Sequence, residues 1–154
     1  MKELQGWASA ELDVPAKDCF ELLAAVERYP DWFEVVSDVE ILEDEQDGTP
    51  GLARVELHVP QSPFGTHFEL FVAVRTERSA ITLTRVPDGP SDLNRLELFW
   101  QVQGRKSTRL GLEFDAAASF VPAFVPIDGA ADAIAEAAID AVRAALTGLP
   151  GGRR

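Results

Sequence analysis

The sequence predicts an α+β fold: one curved, seven-stranded antiparallel sheet wrapped around a long C-terminal helix, with two short helices between strands one and two. Three observations carry this. Six alternating segments, separated by hairpin-type turns, follow one another from Val35 to Ala118. A seventh precedes them near the N-terminus. The last stretch, Asp128 to Leu146, has the period of a helix and not of a strand.

Leu4 to Val14 alternates, with Ala8, Ala10 and Leu12 on one face and Trp7, Ser9, Glu11 and Asp13 on the other, which predicts the first strand. Pro15 then opens a helix, since proline suits the first helical position, and Phe20, Leu22, Leu23 and Val26 follow at helical spacing to about Glu27. Cys19 lies on that apolar stripe and reads as core, because a reactive thiol wants exposure and a basic neighbour. Tyr29 to Phe33 forms a short aromatic turn of helix that caps something.

The six later strands are expected at Val35–Asp44, Leu52–Pro60, Thr66–Glu77, Ala80–Pro87, Leu93–Gly104 and Thr108–Ala118. Turns at Asp47–Gly51, Ser62–Gly65, Asp88–Pro90 and Gly104–Ser107 separate them. Short loops place Leu57 opposite Phe68, Val55 opposite Leu70, and Val72 and Val74 opposite Leu83 and Ile81. Ile81 and Leu83 then meet Leu98 and Leu96, and Val102, Trp100 and Leu98 meet Leu110, Leu112 and Phe114. One face is apolar throughout. The other carries Glu56, His58, His67, Glu69, Thr82, Thr84, Glu97 and Glu113, so one side of the sheet faces water.

In the last helix Asp132, Glu136, Asp140 and Arg143 fall within one arc, which faces water; Asp128 caps its start and Gly148 with Pro150 ends it. The opposite side is Ala131, Ile134, Ala138, Ala141, Val142 and Ala145. Such small side chains predict space between helix and sheet, and hence a ligand cavity; the alternative is a helix packed down with no cavity.

At 154 residues the chain fits one domain, taken as 1–148, followed by a flexible tail, 149–154. A formal charge of −12 disfavours nucleic acid and anionic membranes as partners. Cys19 is the single cysteine, which excludes an intramolecular disulfide and suits a reducing compartment. Residues 1–10 lack a secretory signal pattern, and the twelve-residue apolar run Ala116–Ile127 is too short and too interrupted by proline to span a bilayer. A cytoplasmic location is expected.

The segment ELDVPAKDCFELLAAVERYPDWFEVVSDVEIL resembles the opening of the START-like, SRPBCC superfamily of helix-grip proteins, particularly its polyketide cyclase/dehydrase and coenzyme Q-binding branch. The VPAFVP stretch before the last helix is similar to the proline-flanked loop those proteins carry there. The resemblance implies a hydrophobic ligand cavity. It does not settle an activity, because the family holds lipid carriers, aromatases and cyclases alike.

Among the residues that could carry chemistry, Arg85 is turned toward the concave face opposite Leu70 and Asn94, where it could hold a carboxylate, phenolate or enolate oxygen of a ligand. The alternative is that it sits at the sheet edge, near Pro87, and snorkels to water or pairs with Glu43 or another local acid. Trp100, Phe68, Leu98, Leu112, Phe114, Ile134 and Ala138 are expected to line the cavity, with Ser37 facing it near Trp32. Trp32, Phe33, Phe64, Phe124 and Val125 are expected at its mouth. His58 and His67, with Glu56 and Glu69, offer zinc-type ligands but lie on the wet face, so no metal is expected. There is no glycine-rich phosphate loop, and no histidine shares a face with Ser37, so neither a nucleotide cofactor nor a covalent hydrolase is indicated.

Three functional readings follow. The first is binding or transport of a lipid, quinone or polycyclic aromatic, anchored by Arg85. The second is a polyketide cyclase, aromatase or dehydratase in which Arg85 and Ser37 polarise carbonyls, favoured further if Glu43 faces the cavity. The third is an interaction module in which exposed Phe71 and Phe99 mark a partner or homodimer surface.

Overall fold

The computed structural model describes residues 2–58, 67–118 and 130–148. Strand β1 (Lys2–Leu12) is followed by helix α1 (Ala16–Ala24) and a 3₁₀ helix (Val26–Asp31). Six strands then run in succession: β2 (Val36–Asp44), β3 (Pro50–His58), β4 (His67–Thr76), β5 (Ala80–Arg85), β6 (Arg95–Gly104) and β7 (Thr108–Ala118). Helix α2 (Ala130–Thr147) completes the fold. The seven strands form one antiparallel sheet in the order β1-β7-β6-β5-β4-β3-β2, so β1 and β2 are its two edges. This is the helix-grip architecture expected.

Pro15 is not the first helical residue but the cap: its backbone is extended (φ −60°, ψ 138°), and its carbonyl accepts the Asp18 and Cys19 N–H groups. The helix expected to reach Glu27 stops at Ala24, because Ala25 leaves helical geometry (φ −83°, ψ 71°). The chain resumes as a 3₁₀ helix through Pro30. The Tyr29 hydroxyl reaches back to donate to the Leu23 carbonyl at 2.7 Å, satisfying one of the acceptors that the end of α1 leaves open.

The β3–β4 and β6–β7 registers are as expected, with Val55 opposite Leu70 and Trp100 opposite Leu112. Strand β5 is displaced by two residues on both sides: Val74 pairs with Leu83, Val72 with Arg85, Leu83 with Leu98 and Ile81 with Trp100. The cause is a tight two-residue turn at Arg78–Ser79, closed by the Glu77 N–H donating to the Ala80 carbonyl at 2.8 Å. A slip of two leaves every side chain on its own face, so the apolar and wet faces survive it.

The core lies on the concave side, where Trp100, Ile81, Leu110, Leu112, Leu23 and Val26 are fully buried. On the outer face Arg54 is held by Asp38, Glu40 and Glu69 at 2.5, 3.2 and 3.5 Å. Helix α2 turns Ala131, Ala135, Ala138, Ile139 and Val142 inward, leaves Asp132, Glu136 and Asp140 exposed, and ends at Gly148, whose φ of +71° suits glycine. Ala145, expected on the inner face, is exposed. The expected helix start at Asp128 lies outside the described residues.

The alanines do a different task from the one their size suggested. Helix α2 packs on β1 and β7 at one edge of the sheet and approaches β1 so closely that a Cβ on Gly6 would lie 2.6 Å from the Asp132 nitrogen. The Asp132 carboxylate accepts the Trp7 N–H at 3.1 Å and fixes that approach. Small side chains therefore let the helix sit down on β1, and the free space lies to its side, over strands β2 to β6.

Candidate functional site: an apolar cavity beside the long helix

The concave face encloses a cavity with room of about 100 Å³ for water-sized molecules. Its floor is built by alternation. Inward positions of β3 to β6 contribute Val55, Leu57, Leu70, Val72, Leu83, Leu96 and Leu98. The wall is completed by Val26 and Tyr29 of the 3₁₀ helix, by Phe33, Val35, Val36 and Val39 at the approach to and start of β2, and by Phe114 and Ile134. Among the described residues Tyr29 supplies the wall's one polar side chain, and its hydroxyl proton is already given to Leu23.

Of the residues expected at the ligand, Leu98, Phe114 and Ile134 line this space. Trp100, Leu112 and Ala138 are on the concave side but fully buried in the packed core, away from the cavity wall. Phe68 is half-buried outside it. Trp32 is also half-buried and packs on its aromatic neighbours, stacked on Phe33 at 5.5 Å and edge-on to Trp100 at 6.5 Å. Of the expected mouth residues, Phe33 is in the wall, while Phe64, Phe124 and Val125 lie outside the described residues.

Ser37 is a correction. A register shift between Val36 and Asp38 places it on the outer face, exposed, with its hydroxyl donating to the Glu56 carbonyl at 3.1 Å. Glu43 is exposed as well and absent from the cavity wall.

Arg85 is on the concave face but opposite Val72, the two-residue slip having moved it from Leu70. Its guanidinium is engaged by the β5–β6 loop: it donates to Asp92 at 2.7 Å and to the Asn94 carbonyl at 2.9 Å, with Asp88 at 3.7 Å. Asp92 in turn accepts the Asp88 and Asn94 N–H groups. The Arg85 hydrogen bond, helped by those N–H groups, holds the Asp92 carboxyl down at about 2. The local-acid alternative describes this geometry, with Asp92 as the acid, and Arg85 does not line the cavity.

The buried titratable groups are neutral. Desolvation pushes the Cys19 thiol up to about 11 and the Tyr29 phenol well above its ordinary value. The Trp100 indole N–H lies near enough to Tyr29 to offset part of that rise, without the geometry of a full hydrogen bond. On the outer face the His58 and His67 rings lie 4.8 Å apart, with His67 Nδ1 3.7 Å from Glu56. Among the described residues no group of three or more His, Cys, Asp or Glu side chains is placed to hold a metal. None of the described helices is long and apolar enough to cross a membrane.

Most of the wall was missed at the level of sequence. Beside Phe33, which was expected at the mouth, the 3₁₀ helix and the start of β2 contribute Val26, Tyr29, Val35, Val36 and Val39. The signal was the apolar spacing from Val26 to Val39, which reads equally well as ordinary core.

Fold and cavity together define a helix-grip protein, in which a curved sheet and its C-terminal helix enclose an apolar space. The chain belongs to the family of polyketide cyclases/dehydrases and lipid transport proteins, whose model matches residues 12–147. No curated protein matches the sequence. Among solved structures, the chain is similar to a START superfamily protein from Mycobacterium smegmatis, with a TM-score of 0.74 and 18% identity over 95% of this chain and 99% of that one. It is similar to the Zhui aromatase/cyclase from a Streptomyces species, with a TM-score of 0.67 and 20% identity over 95% and 94% of the two chains. It is also similar to a STAR-related lipid transfer protein from Xanthomonas axonopodis, with a TM-score of 0.68 and 15% identity over 92% and 84%. At these identities the likeness is one of fold.

Proposed function

We propose that this protein binds an apolar small molecule in the cavity over β2–β6 and carries it without chemical change. The observation behind this reading is the wall itself: its described residues are aliphatic and phenyl groups with one phenol, whose proton is committed to a backbone carbonyl. Apolar surface brought out of water there stabilises a complex by about 25 cal/mol per Å², and nothing in the described wall rewards a charge. General acid–base or oxyanion chemistry needs donors and a group of suitable pKa facing the substrate. The Tyr29 phenol, pushed up by burial, is no base near neutral pH.

The family also includes cyclases and dehydrases, and that reading would require polar groups to reach the cavity. Arg85 is the nearest candidate in kind, and Asp92 already occupies it. Ligand pockets commonly measure roughly 300–1,000 Å³, so a ligand larger than about 100 Å³ has to spread these walls. A slim or flexible apolar molecule therefore suits the site better than a wide, rigid polycycle.

Native mass spectrometry of protein purified without detergent, beside a denatured control, tests the proposal. An apolar small molecule bound to the native protein and released unchanged on denaturation is the expected result. A bound molecule that the protein converts on incubation would overturn the carrier reading in favour of an enzyme.

A further inference from the structure

We infer that ligands reach the cavity between Val35 and Ile134, and that these two side chains govern how fast a ligand enters and leaves. The inference rests on the carrier reading above. Large apolar side chains with more than a third of their surface exposed are few among the described residues, and most lie away from the cavity, such as Trp7, Leu42 and Leu93. Val35, 37% exposed, and Ile134, 41% exposed, also line the cavity. A side chain that touches both solvent and an internal space marks the opening between them.

The topology explains why the opening lies there. Val35 immediately precedes β2, one edge of the sheet; Ile134 is on α2, which is docked on β1, the other edge. Val36 pairs with Leu57 near the end of β3, and the first turn of α2 lies against Gly6, in the first half of β1. The cavity wall runs from Val35 beside β2, across β3 to β6, to Ile134 on α2, and the mouth is the gap between these two exposed side chains.

Its two sides differ in freedom. The Ile134 side is fixed by the close approach of α2 to Gly6 and by the Asp132–Trp7 hydrogen bond. The Val35 side belongs to an edge, is tied by the His58 N–H donating to the Val35 carbonyl at 2.7 Å, and is followed by a register shift between Val36 and Asp38. A ligand wider than the gap is therefore admitted by displacement of the Val35 side.

The test is stopped-flow uptake and release of phenylnaphthylamine, a neutral apolar fluorophore, by wild type, Ile134→Ala, Ile134→Trp, Val35→Trp and, as a control, Leu42→Trp. Both gate positions are exposed, and thermal unfolding checks that each variant stays folded. A gate changes entry and exit together, so the Trp variants should slow both association and dissociation by about tenfold; because the two side chains also line the cavity, the readout is the pair of rates and not the equilibrium constant. Ile134→Ala should quicken both, and Leu42→Trp should change neither. Unchanged rates in all the gate variants, or a changed affinity with an unchanged association rate, would overturn the entrance. A wild type that never takes up the probe would overturn the carrier reading and the entrance with it.

Discussion

Gly6 and Ala131 meet backbone to backbone: a Cβ on Gly6 would overlap the Ala131 carbonyl group and come within 2.6 Å of the Asp132 nitrogen. This contact decides where the cavity lies, because a helix pressed onto β1 leaves its free space on the side of β2–β6. Gly6→Val should therefore destabilise the protein by about 1–3 kcal/mol or more, since neither backbone can retreat without unseating the helix. Urea unfolding measures it. An unfolding midpoint equal to that of wild type would show that α2 docks less tightly than described.

The Arg85–Asp92 pair gives a pH-dependent prediction. The folded Asp92 carboxyl is at about 2, against an ordinary value of 3.8. A lowered carboxyl contributes stability above its unfolded pKa and loses it as pH falls toward its folded one. Wild type should lose this contribution progressively from pH 3.8 down to about 2. Asp92→Asn should show a flatter stability profile across that window and be less stable above it. Unfolding midpoints at a series of acid pH values separate the two, and parallel profiles would contradict the assignment.

Cys19 gives the alkaline counterpart. Its thiol is raised from 9.0 to about 11 by burial, so its contribution is intact below pH 9 and is lost as pH climbs through that interval. Cys19→Ala should be less sensitive to alkaline pH over the same range. In the native protein the thiol should resist an aromatic disulfide reagent until the chain unfolds.

Ser37→Ala should leave the affinity for an apolar probe within about twofold of wild type, because the hydroxyl bonds Glu56 on the outer face. Fluorescence titration measures this. A large loss of affinity would restore a cavity role for Ser37.

The architecture was legible because it rests on period and punctuation. Strand alternation, turn residues and a long helical repeat specify seven strands and a closing helix, and a two-residue slip of β5 cannot move a side chain across the sheet. What could not be read was how the alanines of α2 are used. A row of small side chains permits either a gap or a close approach, and the choice falls to Gly6 on a strand more than a hundred residues earlier. Arg85 shows the same limit: its face was legible, but its partner Asp92 sits in an irregular loop with no period to place it. Ser37 was misplaced by a register shift that pattern alone does not reveal.

The proposed function makes the apolar cavity the binding site. The most direct test compares phenylnaphthylamine titrations of wild type and Val72→Phe, where a larger ring fills the space over a buried wall position. Wild type should bind saturably at one to one, and the variant, shown by thermal unfolding to be still folded, should not bind. Equal binding by both folded proteins would place the probe elsewhere and contradict the claim.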